Sequence, residues 1–235
     1  MILLLLLVVQ LFLTSIMSIR IISNADPTSN DNNTVRTYDN CSNIHLEKKG
    51  IRVLGIAESF RKCNNKSTLA GIVMRRDLII DGIVFGTTTL RGTDSTENIL
   101  HMFNSLKRND VNCIILDGLI ISMYNIIDGG LIQNETEIPV IAITFEDSRG
   151  LEANIRYHFP HDFELRLERY VKLGKRDQVI LKTGRSLFIR MWGLPLKSAT
   201  AILNSFTLQG SIPEPIRVAK LAARAQRKNG NCNNN

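Results

Sequence analysis

The chain changes its hydrophobic period after three apolar runs, and that change constrains the fold more than any other feature. From residue 51 the apolar residues come as three runs, "IRVLGIAE", "STLAGIVMRR" and "LIIDGIVFGTTT", separated by short polar breaks. Runs of this length rich in β-branched residues read as strands, and such breaks suit hairpins. After "GTDST" the period lengthens: Ile99, Leu100, Met102, Phe103 and Leu106 are spaced for one face of a helix. Asp94 with Glu97 three residues on has the form of a capping box at its start. "VNCIILDG", beginning at Val111, is the short apolar run expected of a strand buried on both faces of a parallel sheet. A helix around Ile121 to Ile132, the strand "IPVIAITF" and helical segments after Arg149 continue the alternation.

A meander of three antiparallel strands followed by crossovers, βββαβαβ, is the order of an α/β, ribonuclease H-like mixed sheet. The expected strand order is 3-2-1-4-5, with helices on both faces and a C-terminal α/β extension over residues 162–208. In such a sheet the carboxyl ends of neighbouring central strands meet at the ligand crevice. The first strand ends at Glu58 and the fourth at Asp117, while the helix start carrying Asp94 and Glu97 leans over the same place. Carboxylates gathered without His or Cys select Mg²⁺ or Mn²⁺ over zinc, and such a site suits phosphodiester cleavage. Each acid also has a plainer reading: Asp117 before Gly118 opens a turn, and Asp94 and Glu97 cap a helix.

The net charge of +7 and pI near 9.4 favour a polyanionic partner, nucleic acid or membrane surface. "PEPIRVAKLAARAQRK" reads as a helix with Pro215 in its first turn. Arg217, Lys220, Arg224, Arg227 and Lys228 share one stripe of it, beside an apolar stripe of Val218, Leu221, Ala222 and Ala225. Phosphate contact by Arg217, Lys220 and Arg224 is the sharper reading of that stripe, and a solvated face the plainer one. Cys41, Cys63, Cys113 and Cys232 contain no C-x-x-C pair, which argues against a zinc site or a disulfide framework.

The ends differ from the body, which spans residues 50–228. Residues 1–22 form an apolar segment with three readings: a membrane anchor, a signal peptide, or a start that really lies at Met17. Residues 23–49 read as a disordered polar tether and 229–235 as a disordered tail. The body is expected inside the cell, in the cytoplasm, or tethered to the membrane on its cytoplasmic side if Met1 is the true start.

Between Lys48 and Arg227 the stretches "KKGIRVLGIAESF", "AGIVMRRDLIIDGIV", "GTDSTENI", "IILDGLIISMYNIID", "IPVIAIT" and "PEPIRVAKLAAR" occur in the order seen in the archaeal endonuclease dU family, which this body resembles. That family is distantly similar to endonuclease V. The resemblance implies a ribonuclease H-like core and metal-dependent nicking, in DNA repair, of DNA that carries a deaminated base, deoxyuridine in particular. Asp94, Thr96, Asp117, Gly118, Asn125 and Asp128 match the family pattern. Two departures stand out: the family's Ile-Asp-Asp at the first strand end is Ile56-Ala57-Glu58 here, and its Asp-Gly before the helix is Arg91-Gly92. Alanine cannot ligate a metal, and Glu58, one position along, points to the opposite side of an ideal strand unless the strand end twists or bulges.

The expectation is therefore that Glu58, Asp94 and Asp117 hold Mg²⁺ or Mn²⁺ and do the catalysis. Tyr124, Asn125, Asp128 and Arg91 would line the substrate, an extruded base entering near Tyr124 and Asn125, and the basic helix from Arg217 would grip the DNA backbone. In the alternative the fold is kept and catalysis lost, leaving a nucleic-acid-binding or regulatory protein.

Overall fold

The computed structural model describes residues 50–147 and 150–229, all within one compact unit. The apolar leader and polar tether expected from the sequence lie outside the described residues. No helix among those described is long and apolar enough to cross a membrane.

Seven strands form one sheet in the order β3-β2-β1-β4-β7-β9-β8. The meander is β1 (Arg52–Ser59), β2 (Lys66–Arg75) and β3 (Ile80–Thr89), paired antiparallel. β4 (Cys113–Asp117) runs parallel to β1, and β7 (Val140–Thr144) parallel to β4. The expected order, with the first strand central and the fourth beside it, is the one observed. β8 (Asp177–Ile180) and β9 (Ser186–Trp192) extend the sheet antiparallel beyond β7.

Helices α1 (Ser95–Ser105), α2 (Gly129–Thr136), α3 (Glu152–His158), α4 (Phe163–Lys172), α5 (Leu196–Ser205) and α6 (Glu214–Asn229) complete the body. Strand alternation divides the core in two. Val53, Ala57, Cys113 and Ile115 pack with Ala199, Ile202, Leu203, Ile216 and Ala219 of α5 and α6. Leu54, Ile56, Ile114 and Leu116 pack with Ile99, Met102 and Ile132 of α1 and α2. The residues of β1 and β4 are thus buried on both sides, as an uninterrupted apolar run requires.

α6 lies hard against β1. A β-carbon at Gly55 would come within 2.7 Å of the Pro215 Cβ, so glycine here permits a close helix–strand approach. Arg227, about three turns further along α6, donates from its guanidinium to the Phe60 carbonyl at 2.6 Å.

Two local expectations are corrected. The helix expected from Ile121 begins only at Gly129; in its place stands a small hairpin, β5 (Ile120–Ile121) with β6 (Asn125–Ile126). Its turn puts Ser122, Met123 and Tyr124 at φ of 47°, 58° and 75°, a left-handed run that no right-handed helix accommodates. Burial of Ile121, Ile126 and Ile127 against the α1 side decides this segment. The Asp94 carboxylate makes no cap hydrogen bond to α1; it is turned back towards the end of β3.

Candidate active site at the strand tips

β1 and β4 are adjacent and parallel, with Ile56 level with Leu116, so the next step along each strand sets Ala57 beside Asp117 at the carboxyl edge of the sheet. Ala57 shares the α6 side with Cys113 and Ile115, and by the same alternation Asp117 faces that side. There the Lys220 Nζ of α6 lies 2.9 Å from Asp117 Oδ1, with only 27% of the lysine side chain and 16% of the aspartate exposed. The ammonium also sits 5.0 Å from the centre of the Phe145 ring. Burial pushes the Asp117 carboxyl up from its usual range; Lys220 opposes the shift and the Glu58 charge adds to it.

Glu58 leaves β1 on the other side. Its carboxylate accepts from Ser67 Oγ at 2.8 Å, from the Ser122 amide at 2.8 and 3.0 Å, and from Ser122 Oγ at 2.6 Å. Glu58 therefore pins the β5–β6 turn to the first strand. It remains close enough to Asp117 for the charges to be felt, and both line a cavity of about 10 Å³ floored by Ile56, Leu69, Ile99 and Leu116. That volume is about one water's worth.

Asp94 is committed to a third place. It accepts from Thr88 Oγ1 at 2.7 Å, Thr89 Oγ1 at 2.8 Å, the Thr89 amide at 3.1 and 3.2 Å, and Asn125 Nδ2 at 2.7 Å. Burial works to raise its carboxyl, but these donors outweigh it and hold the group well below the ordinary 3.8. Asn125 is fully buried and also bonds Thr88 Oγ1, the Thr89 carbonyl and the Ser95 amide. Its amide is spent on knitting β3, α1 and β6 together.

The three acids expected to share a cation are therefore not brought into one cluster: among the described residues no three His, Cys, Asp or Glu side chains are placed to hold a metal ion. The physical reasons are the serine donors that engage Glu58 and the threonine–asparagine cage around Asp94. Among the described residues a divalent ion would take Asp117 first, because Glu58 at the same small cavity is already engaged by Ser67 and Ser122, with water and substrate phosphate left to fill the shell.

The other expected contacts divide. Asn125 is withdrawn from the substrate by its burial. Asp128 caps α2, accepting from the Leu131 amide at 3.0 Å, and pairs with Lys172 at 3.0 Å. Tyr124 stands in an aromatic group, 5.5 Å from the His158 ring and 5.6 Å from Phe159. Arg91 is exposed, donates to the His158 carbonyl at 3.0 Å and lies over the Phe159 ring. On α6, Arg217 pairs with Glu214 at 3.2 Å, Lys220 holds Asp117, and Arg224 is exposed.

Sequence reasoning missed Ser67, Ser122 and Arg166. Arg166 is 5% exposed, and its guanidinium donates to the Arg91, Gly92 and Tyr124 carbonyls and to Asp162. It locks α4 onto the loop before α1. Nothing in the spacing of a lone arginine signals such a role.

The sheet order and the crevice at the tips of β1 and β4 define an endonuclease V-like, ribonuclease H-like fold. Endonuclease V from Ciona intestinalis, solved with a DNA containing an inosine followed by a ribo-adenosine, superposes with a TM-score of 0.53 at 16% identity, over 77% of this chain and 87% of that one. A structure from Archaeoglobus fulgidus, of a protein of unknown function, superposes at 0.64 with 24% identity, over 75% and 98%. The chain belongs to the endonuclease dU family, whose profile matches residues 49–227. A UPF0215 protein of Pyrobaculum calidifontis is 38% identical over 176 residues, 74% of this chain and 96% of the relative. One from Methanosarcina acetivorans is 36% identical over 180 residues, 75% and 90%.

Proposed function

We propose that the protein is an endonuclease acting on DNA that carries a deaminated base such as deoxyuridine, in the service of DNA repair. The observation that carries the reading is the half-buried Asp117 carboxylate at the carboxyl end of β4, beside the tip of β1 and faced by a cation from a basic helix, in a chain of this family. An acid and a cation at a sheet crevice are the elements that position a phosphodiester and balance the charge developing on it. Arg224, exposed on α6, is set to contact the DNA backbone, and Arg91 with Tyr124 to meet an unstacked base by charge and by ring face. Mg²⁺ or Mn²⁺, when bound, would supply an activated water and charge neutralisation, and Asp117 is the residue to hold it.

A second reading, binding without cleavage, is favoured by one specific pair of observations. Ala57 stands where a second carboxylate would face Asp117, and Lys220 already neutralises that aspartate. A nicking assay on uracil-containing duplex and single-stranded DNA with Mg²⁺ or Mn²⁺ separates the two. Strand breaks that disappear in Asp117→Asn support the endonuclease. Salt-sensitive binding with no breaks leaves the second reading standing.

A further inference from the structure

The two sides of the sheet treat their strand-tip acids differently. The Glu58 charge is met by two hydroxyls and an amide. The Asp117 charge is met by one ammonium, 2.9 Å away and largely shielded from water. An aromatic face at 5.0 Å is a further favourable neighbour for that ammonium. The facing position on β1 is alanine, buried on the same side, and the neighbouring Glu58 is engaged by Ser67 and Ser122, so no second carboxylate is left open beside Asp117 to draw a metal in. A divalent ion approaching Asp117 meets a positive charge that is already in contact with it.

We propose that the Lys220 ammonium is the resident cation of the strand-tip site, competing with any divalent ion for Asp117 and meeting the DNA phosphodiester there with its remaining N–H donors. An ammonium has three donors and Asp117 engages one. The inference rests on the nuclease reading only for the identity of the anion. It makes the cation of the site part of the polypeptide, and any metal a competitor that must displace it.

The test uses the full-length protein, with Mn²⁺ followed by electron paramagnetic resonance and by thermal unfolding. Wild type should bind Mn²⁺ weakly and show no Mn²⁺-dependent rise in Tm. Removing the competitor and adding a carboxylate, Lys220→Met with Ala57→Asp, should tighten Mn²⁺ binding by about tenfold or more and confer such a rise. Adding Asp117→Asn to that pair should abolish the gain.

Where Lys220→Met leaves Asp117 too costly to bury and the chain unfolds, wild type still decides: low-micromolar Mn²⁺ binding that Asp117→Asn removes overturns the proposal. Binding of a short oligonucleotide in EDTA gives the second arm. It should be unchanged from binding in Mg²⁺ for wild type and about tenfold weaker in Lys220→Met; binding that EDTA abolishes overturns the proposal. A failed nicking assay sinks the nuclease reading without touching these measurements. Tight Mn²⁺ binding by wild type sinks the inference and leaves the nuclease reading intact.

Discussion

Asp94 shows how a residue can match a catalytic pattern and do structural work. Its carboxylate is ionised inside a cage of Thr88, Thr89 and Asn125 donors. Because its folded pKa lies below the ordinary 3.8, the stabilisation is fully present above that value and is lost as pH falls through the folded pKa. Asp94→Ala should lower stability at neutral pH by about 3 kcal/mol, since several bonds to a charged group go and the buried Asn125 amide loses a partner. Urea unfolding at pH 7 and at pH 3 checks both parts: the gap between variant and wild type should narrow in acid. Asp117→Asn is the contrasting case. It should abolish any nicking while leaving DNA affinity within about threefold, because a neutral amide of the same shape keeps the site's outline. The sequence made both aspartates visible as acids near one crevice. It did not reveal which was withdrawn from the crevice, because that depends on threonine hydroxyls and a buried asparagine whose side-chain directions no spacing encodes.

At the level of elements, strands and their order were legible because period and composition agreed over ten residues at a time, as in β2 and β3. The β5–β6 hairpin was not. Its two-residue strands carry too short a pattern to be read as strands. Its turn is held by Glu58 accepting from Ser122, and by Ser122 in turn accepting from the Arg91 amide at 2.7 Å. Glu58→Gln should loosen that turn with little loss of global stability, about 1 kcal/mol, and hydrogen exchange at the Ser122 amide should rise before that of β1. α6 gives a sharper prediction. A valine at Gly55 would collide with Pro215 backbone and side chain, so Gly55→Val should cost about 3 kcal/mol and shift α6 off the sheet. Chemical denaturation reads the first effect, and loss of oligonucleotide binding in a still-folded fraction reads the second.

Across the whole molecule, the basic balance read from composition is distributed by the fold. Some cations on α6 are spent internally, Lys220 on Asp117 and Arg217 on Glu214, and Arg224 is left facing solvent. Backbone affinity for DNA should therefore fall modestly in Arg224→Ala, with the slope of log affinity against log salt reduced by about 0.9. A filter-binding series between low and moderate salt measures it, and an unchanged slope removes Arg224 from the interface. The union of β1 with α6, joined by the Arg227–Phe60 contact across 167 positions, also orders events in time. A nascent chain can pair its meander early, yet the pocket around Asp117 has no wall until α6 arrives, so a polypeptide halted or clipped before Glu214 bares an oily strand pair and an acid without its lysine. Synthesis must run almost through the body before this protein has any chemistry to offer.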